Sequence, residues 1–168
     1  MSSPSPQISW TFEPGALIVV AALAVLYIAA WRRARTPGEP HPPGYGRLAL
    51  FMGGLATILV ALVSPVDRLG DQLLMFHMVQ HLLLLDIAPI LLILGFTKTL
   101  LRPATRRINV LERNAGFLAH PAAAVLLYAG VMWLWHIPAM YDATLNHSGL
   151  HVLEHLCFGL AGGLYWWH

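Results

Sequence analysis

Five runs of apolar residues, each roughly 17 to 24 residues long, divide this chain at positions 14–31, 48–64, 73–96, 120–137 and 150–167. At about 1.5 Å of rise per residue, helices of that length reach about 25–36 Å, enough to cross a hydrocarbon layer about 30 Å thick. Lipid offers no partner to an open backbone, so such runs must be helices. The expected fold is all-α: a polytopic transmembrane helix bundle of about five spans, forming one integral membrane domain over residues 1–168. Composition agrees, because charged residues make up only 11% of the chain. A water-soluble domain carries about 25%, and half that share could not cover a globular surface.

Basic residues set the expected orientation. The first loop carries Arg32, Arg33, Arg35 and Arg47, and the third carries Lys98, Arg102, Arg106, Arg107 and Arg113. The second has only Arg68, offset by Asp67 and Asp71, and the fourth has none. Positive-inside logic puts the first and third loops in the cytoplasm, with the N-terminus outside and the C-terminus inside. Residues 1–13 contain no Lys or Arg, and the first run ends in Trp31-Arg32-Arg33, a stop-transfer flank. That run reads as a retained helix and not a cleaved signal. The net charge of +2 comes from these flanking clusters, which points to a membrane surface and not to nucleic acid. The tryptophans fall at both expected interfaces: Trp10, Trp133 and Trp135 outside, Trp31, Trp166 and Trp167 inside. Among the prolines, Pro65 and Pro138 should end helices and Pro89 should kink the third span.

Under this topology the histidines are not scattered. His77 and His81 lie in the outer half of the third span, His136 near the outer end of the fourth, and His151 and His155 in the first turns of the fifth. The pairs His77/His81 and His151/His155 are spaced i,i+4, so each pair shares a helix face. Both segments also place a polar residue at i+3, Gln80 in one and Glu154 in the other, where it could orient an imidazole. A single histidine in a span is ordinarily a hydrogen-bond partner between helices. His41, His120, His147 and His168 are read that way or as surface residues. Five at one depth need a shared reason, since buried polar groups in lipid are costly.

A metal ion or haem is the simplest such reason. Imidazoles suit copper, zinc, iron or nickel, and a histidine from each of two facing helices could ligate a haem. Met75, Met78, Met132 and Met140 lie at similar depth and would favour copper(I), or simply fill core gaps. The order His151-x-x-Glu154-His155 matches that of inverted zinc peptidases, but no acidic residue follows His155 to complete such a site. Asp86 falls on the opposite side of its helix from His77, outside the cluster. Cys157 is the single cysteine and reads as a small apolar packer.

The order of these residues resembles that of the multi-spanning CtaG family of cytochrome c oxidase assembly factors, linked to caa-type oxidases. The landmarks are His77-Met78-Val79-Gln80-His81, Ala88-Pro89 and Gly95; then Trp135-His136-Ile137-Pro138 with Tyr141-Asp142; then His151-x-x-Glu154-His155, Phe158, Gly162 and Trp166-Trp167. The resemblance implies a non-enzymatic factor of the bacterial inner membrane that helps mature a terminal oxidase by binding or delivering copper. Its partners would be oxidase subunits or other assembly factors. His77, His81, His151 and His155 would be ligands, His136 a fifth ligand or a residue on the ion's way in, and Gln80 and Glu154 supporting groups. The family carries further spans after the Trp pair, so the chain reads as a short or truncated member, possible as a homo-oligomer. A haem-bearing electron carrier and a metal or proton transporter are the alternatives.

Overall fold

The computed structural model describes residues 8–35, 37–38, 41–97, 100–101, 116 and 120–168. The described residues are overwhelmingly helical, with no strand among them. Helix α1 is Pro14–Arg33 and α2 is Tyr45–Val63. A short α3, Pro65–Gly70, leads into α4, Leu74–Gly95, whose middle Leu83–Ile87 is a π-helical turn. Further along the chain come α5, Pro121–Trp135, α6, Pro138–Asn146, and α7, Ser148–Trp167. The basic residues of the third loop, Lys98, Arg102, Arg106, Arg107 and Arg113, lie outside the described residues.

Among the described residues, α1, α2 and α4 are long and apolar enough to cross a membrane, and the α5–α6 pair makes a fourth if it is one span. The remaining expected span, α7, has 20 residues, but His151, Glu154 and His155 make it less apolar than the other three. The expected fourth span also differs in shape. It stops at Trp135, and α6 leaves at a bend of 70°. Pro138 accounts for this: lacking an N–H, it cannot continue α5, yet it suits the first position of a new helix. Pro65 acts alike at the end of α2, where the Ser64 hydroxyl caps α3 by accepting from the Val66 amide at 3.2 Å. Pro89 does not break α4. Without an N–H to offer the Leu85 carbonyl, the helix relaxes into the π turn just before it.

Large apolar side chains cover much of the surface, as a bilayer solvent demands, while several polar side chains lie inside. Ile18, Val25, Leu26, Leu126 and Leu160 are exposed, whereas His77, Gln80, His81 and Glu154 are buried. Two of the tryptophans expected at the interfaces, Trp31 and Trp135, are buried against the rest of the protein.

Glycines let the helices meet backbone to backbone. A Cβ on Gly95 would lie 2.7 Å from Phe51 Cβ and 3.0 Å from its Cα, so α2 and α4 touch there without side chains between them. Further back along α4, a Cβ on Gly162 would lie 2.0 Å from the Leu85 carbonyl oxygen. The π turn of α4 and the middle of α7 are therefore in direct contact. Helix α1 is held by Tyr27, which stacks on Phe51 at 3.8 Å and donates its hydroxyl to the Gly95 carbonyl at 2.7 Å. Arg47 donates to the neighbouring Leu94 carbonyl. Together they satisfy carbonyls that the end of α4 leaves without helical partners.

Candidate metal centre

The histidines come together where α4, α7 and the α5–α6 bend converge. His77 and His81 point from one face of α4; their rings are 4.0 Å apart and their Nε2 atoms 2.7 Å apart. One of these nitrogens carries the proton and the other accepts it. His136 follows the last residue of α5, in the bend itself, and its ring lies 5.3 Å from His81 and 6.0 Å from His77. One donor atom from each of these three residues falls within 4.8 Å of the other two. A second group, His151, Glu154 and His155 on α7, meets the same distance. The two groups touch where His81 Nε2 lies 3.7 Å from Glu154 Oε1.

Several of these donor atoms lack a hydrogen-bond partner among the described residues. His136 Nδ1 is 2.7 Å from the Met132 carbonyl, and a carbonyl only accepts, so Nδ1 carries the proton. Its Nε2 therefore presents a lone pair, and that atom is buried with no partner among the described residues. His81 Nδ1, His155 Nε2 and both carboxylate oxygens of Glu154 are likewise buried with no partner among the described residues. Buried polar atoms are ordinarily satisfied, because an unmade hydrogen bond costs about 1–3 kcal/mol. So many orphans in one place fit a bound ion, for which neutral imidazoles and a carboxylate are suitable ligands. Phe158, fully buried, packs 4.1 Å from His81 and closes the inner side, while Tyr141 of α6 meets the His77 ring edge-on at 5.1 Å.

Two expected contributors stand elsewhere. Gln80 does not orient an imidazole: its amide donates to the Ala61 carbonyl at 2.9 Å and to Asp67 at 2.8 Å, bracing α4 against α2 and α3. Met75 and Met78 are exposed on the outer face of α4, whereas Met132 and Met140 pack beneath Trp135 and Phe158. Asp86 lies apart from the histidines, accepting from Tyr128 at 2.9 Å and Trp166 at 3.0 Å. Cys157 packs against the same core as Phe158. Asp67, in the short α3 between spans, was passed over in the sequence because it reads as the counter-charge of Arg68. It is buried instead, and burial raises its carboxyl above the ordinary range, against the opposing pulls of the Gln80 hydrogen bond and of His151.

The family profile described as cytochrome c oxidase caa3 assembly factor matches residues 25–168. The chain belongs to the CtaG family. The CtaG landmarks now have physical places: Gly95 and Gly162 at backbone contacts, Pro89 behind the π turn, Trp135 to Pro138 at the bend that carries His136. Curated relatives include uncharacterized proteins of Mycobacterium leprae (strain TN), 26% identical over 94% of this chain, and of Mycobacterium bovis (strain ATCC BAA-935 / AF2122/97), 28% identical over 94%. The chain spans 26% of the length of each of these relatives. No solved structure matches it.

Proposed function

We propose that this CtaG-family chain serves the maturation of a cytochrome c oxidase in the bacterial inner membrane by binding copper(I) and passing it on. His77, His81 and His136 hold the ion, and His151 and His155 flank its path. The partners are oxidase subunits or other assembly factors, and no chemical step is catalysed. The observation that carries this reading is the set of buried imidazole nitrogens without partners, gathered from three helices. Copper is the cargo that all-imidazole donors and membership of an oxidase assembly family jointly favour.

The test is elemental analysis and an absorption spectrum of protein purified in mild detergent under reducing conditions, followed by copper(I) titration. Near-stoichiometric copper without a Soret band is the expected result. A Soret band would replace copper with haem. Neither metal nor haem, even after copper(I) is offered, would reduce the histidines to structural hydrogen bonding.

The same proposal places five crossings, with the N-terminus outside and the histidines near the outer face. The 20 residues of α7 rise about 30 Å, enough for a crossing. Asn146, exposed at the end of α6, then faces the outside. In cells carrying the Asn146→Cys substitution, an impermeant thiol reagent is expected to label the intact cell. Labelling only after lysis would invert the topology.

A further inference from the structure

We propose that the centre holds two cations side by side, a copper(I) ion on His77, His81 and His136 and a divalent cation of the zinc(II) type on His151, Glu154 and His155. The inference rests on the metal-binding reading above and goes beyond it in number, in ion type and in the role of Glu154, which becomes a ligand.

Three observations carry it. The first is the partition itself. The donor atoms fall into two sets, each within 4.8 Å, that come from different helices and meet at the contact between His81 and Glu154. The second is Glu154. It is fully buried, yet neither oxygen has a hydrogen-bond partner among the described residues, and the nearest cationic candidate, His81 Nε2, stands at 3.7 Å. An ion pair with a histidine would close to about 2.7–2.9 Å. A buried carboxylate is otherwise tolerated only when it is paired or coordinates a metal. The third is charge. Three neutral imidazoles around copper(I) leave a net charge of +1, and two imidazoles plus a carboxylate around a divalent ion leave the same. Each ion with its ligands thus carries a single positive charge into a low-dielectric interior, the Glu154 carboxylate lowering that of the divalent ion. The carboxylate also stands between the sets, where it attenuates repulsion between the two ions.

The test uses the full, tag-free chain in mild detergent. Protein first loaded with copper(I) is titrated with zinc(II), and both metals are counted after desalting. The wild type is expected to retain one copper and one zinc. Glu154→Gln, which keeps the shape of the side chain, is expected to lose the zinc, with at least a hundredfold fall in zinc affinity, while copper stays bound. Copper without any zinc in the wild type, or equal zinc uptake in Glu154→Gln and wild type, would overturn the two-ion site and leave the copper proposal standing. Zinc bound through Glu154 with no copper uptake would sink the copper proposal and keep this site. Failure to bind either metal would remove both.

Discussion

Gly162→Ala is expected to be the most destabilising small substitution in the chain, costing about 3 kcal/mol or more. The added Cβ would lie 2.0 Å from the Leu85 carbonyl oxygen, 2.7 Å from its carbon and 2.9 Å from Cα. All three are backbone atoms, so no side chain can swing aside. Relief requires α4 and α7 to separate, which opens the contacts of Leu84, Leu85, Phe158 and Ala161, all buried at this crossing. Alanine's helix propensity returns only about 1 kcal/mol over glycine. Gly163 provides the control, since a Cβ there meets nothing within 4 Å. Gly163→Ala should be neutral or stabilising by up to about 1 kcal/mol. Thermal unfolding in mild detergent, read by loss of the monodisperse peak, compares the two. Equal melting temperatures would mean that the helices do not meet at Gly162. The same crossing sets the site: Leu85 is one helical turn after His81 on α4, and Gly162 follows His155 on α7, so copper binding should fall together with stability in Gly162→Ala.

That crossing also explains what could be read from the sequence and what could not. Helices α1, α2 and α4 were legible because an unbroken apolar run admits one backbone solution in lipid. The short helices α3 and α6 fall in stretches that the sequence presents as loops. Ser64-Pro65 and Ile137-Pro138 announce a helix end in the sequence, but whether a new helix follows depends on tertiary contacts such as Gln80 reaching Asp67. The π turn was invisible for a similar reason. Pro89 predicts a disturbance, and in the structure it takes the form of a π turn at the point where Leu85 meets Gly162.

Within the site, i,i+4 spacing was enough to pair His77 with His81 and His151 with His155, because that relation is internal to one helix. Their division into two donor sets was not legible, since it depends on which turn of α7 faces which turn of α4. Gln80 shows the limit of spacing most clearly. At i+3 it sits on the flank of the histidine face, and that flank turns toward α2 and α3, so its amide serves the Ala61 carbonyl and Asp67. Glu154 occupies the same offset on α7 but meets His81. Two residues with equivalent local positions thus acquire different roles from their neighbours.

His81→Ala is the substitution expected to cost the most copper affinity, at least a hundredfold. Altering a group that merely orients a ligand already weakens metal binding about 10–100-fold, and under the copper(I) proposal His81 is itself a ligand, in contact with His77, His136, Glu154 and Phe158. It is fully buried, 2.7 Å from His77 Nε2, 3.7 Å from Glu154 and in ring contact with Phe158. Its removal takes one of three donors from the copper set and also frees the remaining His77 ring from its hydrogen-bond partner, so the two donors left are fewer and less fixed. His147→Ala, at an exposed position outside both donor sets, should bind copper as the wild type does. Competition of each purified variant against a copper(I) chelator gives the ratio directly, with the melting temperature measured in parallel to separate ligand loss from unfolding. A folded His81→Ala protein that competes for copper as well as His147→Ala would show that the ion, if bound, is held somewhere other than between α4 and the α5–α6 bend.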